Sequence, residues 1–242
     1  MKRNKIIETL LQNKLIDYKQ RIAFHEAGHA AAIHLNNKAR QLPPVFFRII
    51  FKEVNHFPTA DVLTNKIAPD DFIARVEGGR LIELLPHSID SLATELPEHN
   101  DAMVQLVRDY RTAFEADIIN LLIGPLAEAK YVATTDDEPF NHKLIDLKAL
   151  KNYGGSFDVA LANEYLLSFS ANKQQRDNKM AELLGIAFNF VNNDVNWAAI
   201  TKLADYIRSS SKDIIDCEEI ILILDQSVAH FHSRRAMISR QK

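Results

Sequence analysis

A single cysteine, Cys217, in a chain of 242 residues rules out an internal disulfide and fits a reducing compartment. An excess of basic charge is also missing. The formal net charge is −3, so no broad cationic face for nucleic acid is indicated. No run of about 18 apolar residues occurs, so no membrane-spanning helix is expected. The start, Met1-Lys2-Arg3-Asn4-Lys5, is basic, but Glu8, Asn13 and Lys14 interrupt the segment that follows. It does not read as a signal peptide, and a cytoplasmic location is the expectation. Nor is there a G-x-x-x-x-G-K-[ST] loop, so an ATPase module is not expected. What is present is 47% apolar content, enough for one domain over 1–242, or one domain with an insertion.

The informative stretch is His25-Glu26-Ala27-Gly28-His29. It reads H-E-x-x-H inside a segment of helical character. Two imidazoles four residues apart lie one above the other on a helix face and can grip one metal ion. Glu26 lies about 100° further round the helix, beside the metal, where it can take a proton from a metal-bound water. The flank, with Ile22, Ala23, Phe24, Ala30, Ala31, Ala32 and Ile33, is apolar and rich in alanine. A buried metal-site helix fits that better than a pair of surface histidines, and small residues let a second helix come close. A catalytic zinc needs a third protein ligand. The metzincin extension would place Gly at 32 and His at 35. The chain has Ala32 and Leu35, so the third ligand must come from elsewhere.

The run from Arg21 to Ala30 resembles the zinc-site helix of the FtsH-type ATP-dependent zinc metalloproteases, whose motif reads H-E-A-G-H-A. Ile123-Gly124-Pro125-Leu126-Ala127-Glu128-Ala129 is similar to their L-G-G-R-A-A-E-E helix. The Gly154–Ala162 run, with Ser156, Phe157 and Asp158, resembles their G-A-S-N-D segment, and Ile215-Asp216-Cys217-Glu218-Glu219-Ile220 their L-D-G-E-E-I segment. The likeness spans roughly residues 18–226 in the same order, and the longer interval between His29 and Asp158 implies an insertion at 58–110. It implies that Asp158 completes a Zn2+ site with His25 and His29, with Glu26 as catalytic base. The residues agree locally. Gly154 and Gly155 break the chain, Ser156 suits an N-cap, and a carboxylate in a first helical turn is favoured by the helix dipole. Asn163-Glu164 offers a rival ligand, Glu164. Glu128 reads as an acid on a helix face, with the orienting of a ligand histidine as its alternative.

The expected fold is mainly α, a helical zinc-peptidase domain with one short strand or small sheet at residues 45–51. Helices are expected over 6–35, 69–85, 102–131, 159–169, 173–192, 197–209 and 218–232. A loop is expected at 85–100, with a possible kink at Gly124-Pro125. His230 and His232 read as a solvated helix end, and neither His142 nor His56 is singled out as an oxyanion donor. The expected activity is zinc-dependent hydrolysis of peptides or unfolded protein, without an ATPase of its own but with a possible separate ATPase partner. The alternative is a catalytically inactive zinc-binding adaptor or regulatory protein.

Overall fold

The computed structural model describes residues 2–51, 74–83, 85 and 101–239. Its architecture is mainly helical, with one small sheet. Helix α1 (Lys2–Ala31) runs into a wide π-helical turn (Ala32–Asn36) and a last turn, α2 (Asn37–Ala39). Strands β1 (Phe47–Phe51) and β2 (Ala74–Gly78) follow, then the long α3 (Asp101–Thr135). The short α4 (Leu147–Leu150) leads through a 3-10 turn to α5 (Ser156–Phe169). Helices α6 (Lys173–Asn192) and α7 (Asp194–Ser209), the two-residue β3 (Ile214–Ile215) and α8 (Cys217–Ser239) complete the chain order.

Helix α1 is the hub. Its alanines Ala23, Ala27, Ala30 and Ala31 are fully or almost fully buried. Small side chains let α3 approach on one side and α7 on the other. The closest approach is at Gly28, where an added Cβ would lie 2.8 Å from the Ala127 Cβ and 3.0 Å from the Ile123 carbonyl. One core packs α1, α7, α8 and the sheet through Phe24, Phe47, Ile49, Leu203 and Leu224. Phe24 stacks between Tyr131 and Trp197, with ring centroids at 4.4 and 5.4 Å. A second core joins α3, α5 and α6 through Phe114, Ile118, Leu122, Tyr165 and Leu183. Each fully buried side chain of this size contributes about 1.5–3 kcal/mol.

The sheet order is β2-β1-β3, all antiparallel, with Ile49 opposite Val76 and Ile215. This corrects the helix expected over 69–85, because Ala74–Gly78 is a strand. Pro69, Asp70 and Asp71 are residue types that favour a first helical turn, but pairing with β1 decides the matter, as strand propensity is set by neighbours. Gly78 and Gly79, at φ 85 and 84°, turn the chain out of the strand. The two backbone amides that follow are fixed by the buried Asp117 of α3, which accepts from Leu81 at 2.9 Å and Ile82 at 3.0 Å. Of the expected insertion, 58–73, 84 and 86–100 lie outside the described residues, as does almost all of the expected loop at 85–100 and His56. Helix α3 continues through Pro125, at the loss of one backbone hydrogen bond. Gly155, not Ser156, occupies the cap position of α5, and no side chain caps it.

Candidate metal centre

Helix α1 presents His25 and His29 toward α3 and α5, and Glu26 toward β2. The two imidazoles face each other, Nε2 to Nε2, at 3.1 Å. Asp158, in the first turn of α5, brings Oδ2 to 3.4 Å from His25 Nε2 and Oδ1 to 3.5 Å from His29 Nε2. Zinc bound tetrahedrally through bonds of about 2.0–2.1 Å requires neighbouring ligand atoms about 3.3–3.4 Å apart. The three separations fall around that value. Among the described residues, His25, His29 and Asp158 are the one group of His, Cys, Asp or Glu side chains close enough to hold a metal.

The outer ring nitrogens are also engaged. His25 Nδ1 donates to Glu128 Oε2 at 3.1 Å, and Arg21 holds the other oxygen of Glu128, with Nη2 at 2.7 Å. Arg21 also donates to the Asn152 carbonyl at 3.1 Å, which ties α1 to the turn that delivers Asp158. His29 Nδ1 donates to the Asn120 carbonyl at 2.9 Å. A carboxylate and a carbonyl can only accept, so each Nδ1 carries a proton, and a ring without a second proton turns its Nε2 lone pair inward. Three electron-pair donors then point at one another. A cation or a proton must lie among them.

Glycine makes this crowding feasible. A Cβ on Gly124 would lie 2.3 Å from His29 Nε2. Gly154, at φ 71°, passes so close to His25 that a Cβ there would meet Nδ1 at 3.0 Å. The next residue, Gly155, rests against Pro125, where a Cβ would come within 2.7 Å of the proline ring. The Gly124-Pro125 pair thus makes room for a histidine and seats the loop before α5.

The charges follow from this packing. Burial opposes the charged form of His25, but hydrogen bonds to Asp158 and Glu128, with the negative charge of Asp158 and Glu26, raise its pKa well above the usual imidazole range. Burial also works against the ionised forms of Asp158 and Glu128. The two histidines outweigh it for Asp158, and His25 with Arg21 outweigh it for Glu128, so both carboxyls titrate lower than usual. Glu26 differs. Burial raises its pKa more than His25, His29 and a backbone hydrogen bond lower it. That bond comes from the Val76 amide on β2, 2.6 Å from Glu26 Oε2.

No protein-family model, curated protein or solved structure matches this chain.

The structure therefore brings together the three residues read as ligands, with Glu26 next to them in the helix. Glu128 corrects the reading of a plain helix-face acid: it is 5% exposed and orients His25. Glu164 lies six residues beyond Asp158, about 240° round the helix, and is exposed. His142 packs edge-on against Phe188 of α6, and His34 pairs with Asp225 of α8 at 2.9 Å. His230 and His232 are exposed on α8. Residues not identified from sequence are Arg21, Val76, Asn120 and Gly124 in its role beside His29. The sequence carried a signal for Gly124 alone, as the glycine kept from the L-G-G-R pattern that Ile123-Gly124-Pro125-Leu126 resembles.

Proposed function

We propose that the chain is a zinc-dependent peptidase that hydrolyses peptide bonds in peptides or unfolded protein, with Glu26 as general base. The observation that carries this reading is the convergence of two imidazole lone pairs and one carboxylate at tetrahedral spacing. Zinc held there would activate a water and polarise the scissile carbonyl. The side chains of His25, His29 and Asp158 keep 11, 12 and 10% exposure, enough contact with solvent for water to reach them. Glu26, with its raised affinity for a proton, is suited to take one from the attacking water and return it to the leaving amine. Glu128 and the Asn120 carbonyl fix the two rings and their tautomers.

No described helix is long and apolar enough to cross a membrane. The lone cysteine supports a cytoplasmic setting. The substrates of this reading are peptides or unfolded protein, and folded ones would need a separate ATPase partner. A second reading is a zinc-binding adaptor or regulatory protein without turnover. It draws on the Val76 amide, which commits one oxygen of the would-be base to backbone.

Digestion of a peptide library by the zinc-loaded protein tests both. Chelator-sensitive cleavage that Glu26→Gln abolishes while zinc stays bound supports the peptidase. Peptide binding without cleavage supports the adaptor, and wild-type rates in Glu26→Gln would show that another group is the base.

A further inference from the structure

We infer that the side chains of Asn120, Asn36 and Asn37 form an amide clamp that positions His29 for the metal; the inference rests on the zinc reading above. His29 is not held by a carboxylate, as His25 is, but by the main-chain carbonyl of Asn120 inside α3. A helix carbonyl ordinarily serves the amide four residues on, here that of Gly124. Its second lone pair is available to a neighbour only where another helix lies very close. Gly28 and Gly124 supply that approach. The aim of the His29 ring then depends on how the 120 peptide is held against the end of α1.

The side chain of the same residue sets that distance. Asn120 Oδ1 accepts from Asn36 Nδ2 at 3.0 Å, and Asn120 Nδ2 donates to Asn37 Oδ1 at 3.1 Å. Arg40 steadies Asn36 by donating to its Oδ1 at 3.1 Å. The three asparagines are 5, 7 and 3% exposed in the order Asn120, Asn36, Asn37. Asn36 and Asn37 are neighbours in sequence, and in a regular α-helix they would point about 100° apart. The π-helical turn Ala32–Asn36 follows His29 and ends on Asn36, and the amides of both Asn36 and Asn37 reach Asn120. Turns of this kind recur at functional sites.

An apolar trio would fill the same space without desolvating three amides. Asn37 Nδ2, moreover, has no hydrogen-bond partner among the described residues. A buried donor left unpaired calls for an explanation. Positioning of a metal ligand supplies one: Asn120 grips the helical turns that follow α1 with its side chain and orients His29 with its carbonyl.

The test compares wild type, Asn120→Ala, Asn37→Ala and, as a stability control remote from the clamp, Val191→Ala. Two readouts are taken: zinc affinity by chelator competition, and the His29 ring nitrogen signals of the metal-free protein by NMR. In wild type the His29 Nδ1 proton is held and slow to exchange. Asn120→Ala is expected to release it and to weaken zinc binding about 10- to 100-fold. Asn37→Ala, which removes one of the two grips, falls between and serves if Asn120→Ala does not fold. Val191→Ala leaves both readouts unchanged. Wild-type affinity and an unaltered His29 signal in both asparagine variants would overturn the clamp while leaving the zinc reading intact. If wild type takes up no zinc, the zinc reading fails, and the clamp as a device for a metal ligand fails with it whatever the His29 signal does.

Discussion

Replacing Gly124 with alanine separates metal binding from folding. The new Cβ would lie 2.3, 2.5 and 2.6 Å from Nε2, Cε1 and Cδ2 of His29. Comfortable contact begins at about 3.5 Å, so the ring must retreat by roughly 1 Å. Metal–ligand distances tolerate about 0.2 Å. The displaced imidazole therefore cannot keep its corner of the site, and zinc affinity should fall by more than the roughly 10- to 100-fold that follows loss of an outer partner. The folded chain without metal should scarcely notice. Alanine inside α3 gains about 1 kcal/mol of helix propensity over glycine. That offsets a loss of about 1 kcal/mol for the hydrogen bond from His29 to Asn120. Urea unfolding with chelator should place the variant within about 1 kcal/mol of wild type. With zinc at a hundred times its Kd, wild type should gain about 2.7 kcal/mol, and the variant at the same concentration almost nothing. A variant that is stabilised by zinc as much as wild type would refute the placement of His29 beside Gly124.

Glu128→Gln keeps the shape of the side chain but removes the charge that faces both His25 and Arg21, and zinc affinity measured by calorimetry should fall about 10- to 100-fold. The metal-free protein should be most stable over an intermediate pH range. His25 has a raised pKa, so its contribution is full below about pH 6.5 and is lost as pH climbs through the raised value. Asp158 and Glu128 have lowered pKa values, so theirs is present above about pH 4 and is lost as pH falls through the lowered ones. Melts in chelator across this range check the shape, and stability that rises steadily into alkali would contradict it. Zinc uptake near neutrality should expel a proton from His25, which calorimetry in two buffers of different ionisation enthalpy will count. Leu203→Ala, at a fully buried position between α1 and α7, should cost about 2–5 kcal/mol in urea unfolding.

How much of this was readable beforehand depends on how local each feature is. The spacing of His25 and His29 carries its own geometry, because one helix sets it. Helices α6 and α7 were legible for the same reason, from periodicity along a single segment. Asp158 sits far along the chain, and only a likeness of motifs, together with the glycine pair before it, pointed there. Glu128 was undervalued because its role exists only where α1 crosses α3 at Gly28. Asn36, Asn37 and Asn120 look like surface residues in a sequence, and burial of an amide leaves no mark on composition. Strand β2 reads as helix in the sequence because its helical cues are local and its partner β1 is not.

The bond from Val76 to Glu26 has one more consequence. Val76 is paired with Ile49 in register but spends its amide on Glu26. A slip of β2 by a single residue would swing that amide to the opposite edge of the strand. Glu26 would then be an interior acid facing no donor from the strand. Wrongly paired strands would thus be penalised by that carboxylate, and correct assembly of the sheet becomes a condition for Glu26 to serve as the proposed base.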